Sequence, residues 1–307
     1  MNIRWTYVIF IGISIITLSA CNRRSPVTSA TFTVAATNES AVTSPAPTQT
    51  PDPPTATPIP LAAIINGEGI TMDEFSEELT RFQAAIPITG TNLASDPSAI
   101  VLDELINQTL LAQSAVQNGF IVDETMLQSK IDSLETQLGG SQALENWILT
   151  HDYSSEEFEH ALKRAIGAAW MRDQIIAAVP DTADQVHLRQ ILLPRKGQAD
   201  EVYASLQTGA SFTELATLYD PTTGGDLGWI PRGYLDELAI EEAAFALQPE
   251  QYSSVIETEI GYHILYLVEK DENHSLQPDA REVLQVNALQ EWIGEHRNQS
   301  EIQILLP

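Results

Sequence analysis

The chain has 307 residues, more than one hydrophobic core usually organises, and its apolar fraction of 43% is ordinary for a globular protein. Its 42 acidic residues against 15 basic ones give a formal charge of -27, which speaks against nucleic acid as a partner, since duplexes are held by Lys and Arg. The single cysteine, Cys21, excludes an intrachain disulfide.

Residues 1–21 open with Arg4, continue through an apolar run from Trp5 to Ile16, and end in Leu18-Ser19-Ala20-Cys21, with small residues just before the cysteine. This pattern resembles the signal peptide and lipobox of a bacterial lipoprotein. The resemblance implies that the Cys21 thiol carries a lipid, that the chain is cut after Ala20, and that the mature protein is anchored to the cell membrane outside the cytoplasm. The other reading is an uncleaved membrane helix, but the apolar run falls short of the roughly 20 residues a span needs. Residues 22–60 are dominated by Ser, Thr, Ala and Pro. Such a segment buries too little apolar surface to offset its ordering entropy and is expected to be a disordered tether.

Residues 61–180 read as mostly helical. Leu61 to Ile65 is expected to be a strand, Asn66-Gly67-Glu68-Gly69 a turn, and Thr71 to Glu74 the capping box of a helix. Asp96 and Pro97 mark the start of a second helix, which Gly119 closes. Asp123 opens a third, ended by Gly139-Gly140, and Ser154 with Glu157 forms a further capping box before a helix that Pro180 stops. His151 and His160 have no metal-ligand spacing and are expected at the surface. The stretches Ile64 to Thr71 and Val101 to Gln108 resemble the amino-terminal chaperone domain of SurA-like and PrsA-like foldases. In that family the domain offers an apolar groove to unfolded chains.

From Val186 the texture changes. A strand to Leu193, a helix from Gln198 to Leu206, and Gly209 to Ala216 precede three further blocks: Gly224-Gly225-Asp226-Leu227-Gly228-Trp229, Glu242 to Leu247, and Thr258 to Leu265. In this order they resemble the parvulin type of peptidyl-prolyl isomerase, which implies such a domain over residues 184–270. The implied fold class is α+β: a mostly helical chaperone domain plus a small antiparallel sheet surrounded by helices. Rotation about a peptide bond faces a barrier of about 18 to 20 kcal/mol, and a catalyst has only to bind the twisted amide better than either planar form. No cofactor and no metal is implied.

The same resemblance places Leu227, Leu235 and Ile240 on the wall of a proline pocket, with Phe245 either in it or in the core behind it. It makes His263 the second family histidine, Thr258 its hydroxyl partner, and Asp220 the acidic position ahead of the glycines. The loop from Tyr219 to Gly224 is shorter than the family usually has. Gln190 stands where the first family histidine is expected, and His187 does not substitute for it, because strand side chains alternate and positions 187 and 190 face opposite sides. Glutamine donates and accepts hydrogen bonds without titrating, so reduced or altered activity is expected. Three readings stay open: a foldase that binds unfolded, newly exported, proline-containing chains and isomerises them, a chain-binding chaperone whose isomerase fold is degenerate, and a lipoprotein that scaffolds other envelope proteins. Phosphate recognition wants an Arg cluster, yet the loop after the first strand holds only Arg195 and Lys196, and no Lys or Arg lies from Gly233 through Glu269. Residues 271–307 are expected to form a helix and a strand that return to the helical domain beside Leu61 to Ile65.

Overall fold

The computed structural model describes residues 59–89, 95–151 and 153–306; Cys21 and the tether up to residue 58 lie outside the described residues. The first element is a hairpin rather than a strand, a turn and a helix. Asn66 and Gly67 take φ of 49° and 88°, the left-handed pair that folds a two-residue turn, so β1 (Leu61–Ile65) pairs antiparallel with β2 (Glu68–Thr71). Only then does α1 (Met72–Thr89) begin, with the Glu74 N–H donating to Thr71 Oγ1 at 3.1 Å.

Local caps set the next helices. Asp96 accepts from the Ser98 N–H and Pro97 fills the first position of α2 (Pro97–Gln117). Asp123 accepts from the Met126 N–H to start α3 (Glu124–Leu138), which Gly139 ends at φ 100°. A further helix, α4 (Ser141–Thr150), follows at once with no side-chain cap. Both halves of the capping box between Ser154 and Glu157 are formed at the start of α5 (Ser155–Ala177). Helix α2 buries Val101, Leu102, Leu105, Ile106 and Leu110. It comes close to α5 at Gly167, where an added Cβ would lie 3.4 Å from the Ala112 backbone. Burying each such Leu or Ile contributes about 2 kcal/mol. An ion pair between Arg164 and Glu74 ties α5 to α1, and the Arg81 guanidinium sits 3.9 Å over the Tyr153 ring. His160 is exposed, whereas His151 is half-buried and stacks on Trp147.

The second half is built on a four-stranded antiparallel sheet of order β4-β3-β6-β5: β3 (Thr182–Leu193), β4 (Asp226–Pro231), β5 (Ile256–Thr258) and β6 (Gly261–Ser275). Helices α6 (Lys196–Gln207) and α7 (Phe212–Tyr219) cover one face over Ile191, Leu193 and Ile264. Helix α8 (Leu238–Ala246) covers the other over Val186, Leu188, Leu265 and Leu267. The sequence draws the end of this region at residue 270, but β6 continues to Ser275, where it pairs with Thr182.

The last helix, α9 (Pro278–Gln299), packs Leu289 against Leu111 of α2 and Ala168 of α5. Strand β7 (Ile302–Ile304) then adds to β1, making a three-stranded sheet of order β2-β1-β7. Asn66 sits at this closure: its backbone and side chain bond Glu301, and its amide donates to Gln113 and Ser300. Among the described residues, no helix is long and apolar enough to cross a membrane.

Candidate active site

The register of β3 against β6 sets the site. Gln190 lies opposite Leu265 and Leu192 opposite His263, so Gln190 and His263 share the sheet face that carries Leu188, Leu265 and Leu267. On this face the apolar layer under α8 gives way to polar side chains. His263 is 5% exposed. Its Nε2 lies 2.8 Å from Thr258 Oγ1 and its Nδ1 3.2 Å from Gln190 Oε1. With the Gln190 oxygen as acceptor, Nδ1 carries the proton, and the unprotonated Nε2 accepts from the Thr258 hydroxyl. Burial lowers the His263 pKa below the ordinary histidine value, against a smaller opposing pull from Glu237. Burial thus favours the neutral ring, and Thr258 Oγ1 also lies 3.3 Å from Gly261 O.

Gln190 also lines a cavity of about 250 Å³, together with Leu192, Tyr219, Asp220, Gly225 and Leu227. Its oxygen is engaged by His263, and no hydrogen bond from its amide nitrogen is found among the described residues. The glycine turn behind the cavity is pressed against β3. The Gln190 N–H donates to Gly225 O at 2.8 Å, and a Cβ on Gly225 would lie 2.1 Å from Gln190 O, so only glycine fits there. Arg189 fastens the same turn by donating to Gly224 O and to Thr213 Oγ1. Asp220, at the end of α7, accepts from the Thr223 hydroxyl and from the N–H groups of Thr222, Thr223 and Gly225. The Thr223 hydroxyl bond leads in pulling its pKa below the usual carboxylate value. Asp220 thus works as the staple of a loop that is short enough for one carboxylate to close.

Of the four apolar residues that the sequence places together, only Leu227 borders this cavity. Ile240 and Phe245 are core residues of the layer under α8, and Leu235 packs against that layer half-buried. For Phe245 the open choice between pocket and core resolves to core, under the Arg232 guanidinium 3.9 Å above its ring. His187 faces the opposite side of the sheet, bonded to Asp226 Oδ1 at 2.8 Å and 5.5 Å from the Trp229 ring centroid. Sequence reasoning missed Leu192 and Tyr219. The alternation 188, 190, 192 along β3 marks Leu192 as a neighbour of Gln190 on the same face. Among the described residues, no group of His, Cys, Asp or Glu is arranged to hold a metal ion.

Two family models match the chain: the SurA-like N-terminal domain over residues 5–172, more than half of its length, and the PPIC-type PPIase domain over residues 180–269. The foldase protein PrsA of Bacillus subtilis is 26% identical over 218 residues, covering 67% of this chain and 70% of the relative. The chaperone SurA of Methylobacillus flagellatus is 30% identical over 249 residues, covering 68% of this chain and 56% of the relative. The solved structure of the peptidylprolyl isomerase PrsA from Bacillus cereus covers 76% of this chain and 87% of its own, at 19% identity and a TM-score of 0.44.

Proposed function

Because the chain belongs to the SurA-like N-terminal domain family and carries a PPIC-type PPIase domain, we propose that it is a membrane-anchored extracytoplasmic foldase acting on unfolded proline-containing chains. In this reading residues 61–180 hold the client, residues 184–270 rotate its X-Pro bonds, and residues 271–307 complete the helical half. Cys21 carries the lipid, residues 22–60 give reach, and the clients are newly exported polypeptides. Lipidation is tested by metabolic labelling with a radioactive fatty acid: the wild-type chain takes up label and Cys21→Ser does not.

The observation that carries the isomerase mechanism is the hydrogen-bonded chain from Thr258 through His263 to Gln190, at the lip of a cavity bordered by Leu227. A twisted X-Pro amide has lost its resonance, so its nitrogen gains a lone pair and its carbonyl rotates away from the ring plane. A site that fits this geometry better than either planar form lowers the barrier without breaking a bond. Leu227, at the border of the cavity, grips the ring, with half-buried Leu235 beside it at the edge of the apolar layer and the core residue Ile240 backing that wall. The free amide of Gln190 donates to the turning carbonyl, and neutral His263 fixes the orientation of that amide. Asp220 holds the loop that closes the cavity.

Unphosphorylated clients suit this surface. Arg189 is spent on the glycine turn, and Lys196 is paired with Asp200 at 2.8 Å. In a protease-coupled assay on a proline peptide, the full chain accelerates isomerisation above buffer. A rate equal to buffer favours the second reading, prompted by Gln190, of a chain-binding chaperone with a degenerate isomerase domain; suppression of client aggregation then remains as its activity.

A further inference from the structure

The backbone of Gly233, in the turn between β4 and α8, is held on both sides of its Cα. Its N–H donates to Glu241 Oε2 at 2.8 Å, and its carbonyl accepts from Asn287 Nδ2 of α9 at 2.7 Å. Glu241 is 7% exposed and receives a second N–H, from Leu235 at 3.4 Å, so one buried carboxylate gathers the turn onto α8. Gly233 has a φ of 83°, and Leu284 of α9 lies against it, 3.5 Å from where a Cβ would stand. Helix α9 is meanwhile fastened to the helical half: Leu289 packs against α2 and α5, and Arg297 pairs with Asp103 and donates to Asn107.

From these contacts we infer that Asn287 is a positioning residue for the isomerase site. It lies outside the isomerase region, on α9, and places the turn from Gly233 to Glu237 that carries Leu235. The turn's other restraints come from the isomerase region itself: Glu241 accepts from Gly233 and Leu235, the Tyr234 N–H donates to Pro231 O, and Tyr234 and Leu235 pack on the apolar layer. Arg232 bonds Asp184 through its backbone and lies over Phe245, but beyond Gly233 the chain from Leu235 to Glu237 is half-buried or exposed and reaches α8 with no side-chain cap. Of the bonds to the Gly233 backbone, the one from Asn287 comes from the segment bolted to the helical half. Leu235, carried by this turn, packs against the apolar layer of Leu188, Leu265 and Leu267, on the sheet face that also carries Gln190 and His263. The inference rests on the reading of Leu235 as part of the proline-gripping wall.

The test uses the full chain with Asn287→Ala and Asn287→Asp, the second keeping the shape of asparagine but offering no N–H. Both are expected to raise KM for a proline peptide about threefold with kcat within about twofold, the size of one exposed hydrogen bond lost. Both should also speed amide exchange at Gly233 and Leu235, while thermal unfolding shifts little because Asn287 is exposed. Leu284→Ala, which keeps the donor, should retain at least half of the wild-type affinity. Unchanged KM in an active wild-type background overturns the inference and leaves the isomerase reading standing. An inactive wild-type chain overturns both. Unfolding that falls in step with KM, with no localised change in exchange, shows a merely structural role and also overturns it.

Discussion

Two polar networks join distant strands of this chain, and they differ in what they leave over. At Asn66 the side-chain oxygen and amide are both taken by Glu301, Gln113 and Ser300, so the residue is saturated by its own protein. At Gln190 the oxygen goes to buried His263, while the residue itself lines a cavity. A saturated network fastens; a network with a donor to spare and a hollow next to it has capacity for a ligand.

Removing the donor of the second network should have the largest effect. Gln190→Leu is expected to lower kcat/KM for a proline peptide about a hundredfold, as loss of a donor aimed at the transition state does elsewhere. Circular dichroism melting should show the fold retained. Next comes the fastener: Asn66→Ala should cost about 2 kcal/mol in chemical denaturation, since several hydrogen bonds go together, while kcat/KM stays near wild type. Parallel losses of activity and stability in both variants would erase the distinction. Smaller again, His263→Ala, which removes the group that orients this donor, should reduce kcat/KM about tenfold, and Gln190→His should hold it within about threefold.

The smallest effect is in pH. Burial keeps the His263 pKa below its unfolded value of 6.5, so between the two values the unfolded chain binds more protons. The stability contributed by neutral His263 is therefore complete above pH 6.5 and declines as pH falls through the lower, folded value. Melting curves of wild type should drop more on acidification than those of His263→Gln, and equal slopes would contradict the assignment.

What the sequence reveals follows the range of the forces. Asp96 with Pro97, Asp123, and the box of Ser154 with Glu157 act within one helical turn, and each starts a helix where the sequence places one. Helix α4 was hidden because Gly139-Gly140 ends α3 and no side chain announces the next start. The end of β6 was hidden as well: Glu269 to Ser275 is polar and shows no alternation, and only pairing with β3 makes it a strand. At the site, the polar residues come from motif order, but whether Ile240 and Phe245 line a cavity or fill a core depends on packing among α8, β3 and β6, which no local pattern encodes.

The seating of β7 on β1 also governs when the molecule can be finished. Residues 61–65 are among the first of the folded part to be made, yet one edge of that strand stays open until residues 302–304 arrive. During synthesis every helix from α1 to α8 can be present while Ala63 to Ile65 still lacks its neighbour. The half that we propose to shelter other unfolded chains is thus itself the last to be closed, and a chain stopped short of Ile302 would present an unpaired edge for any extended peptide to occupy.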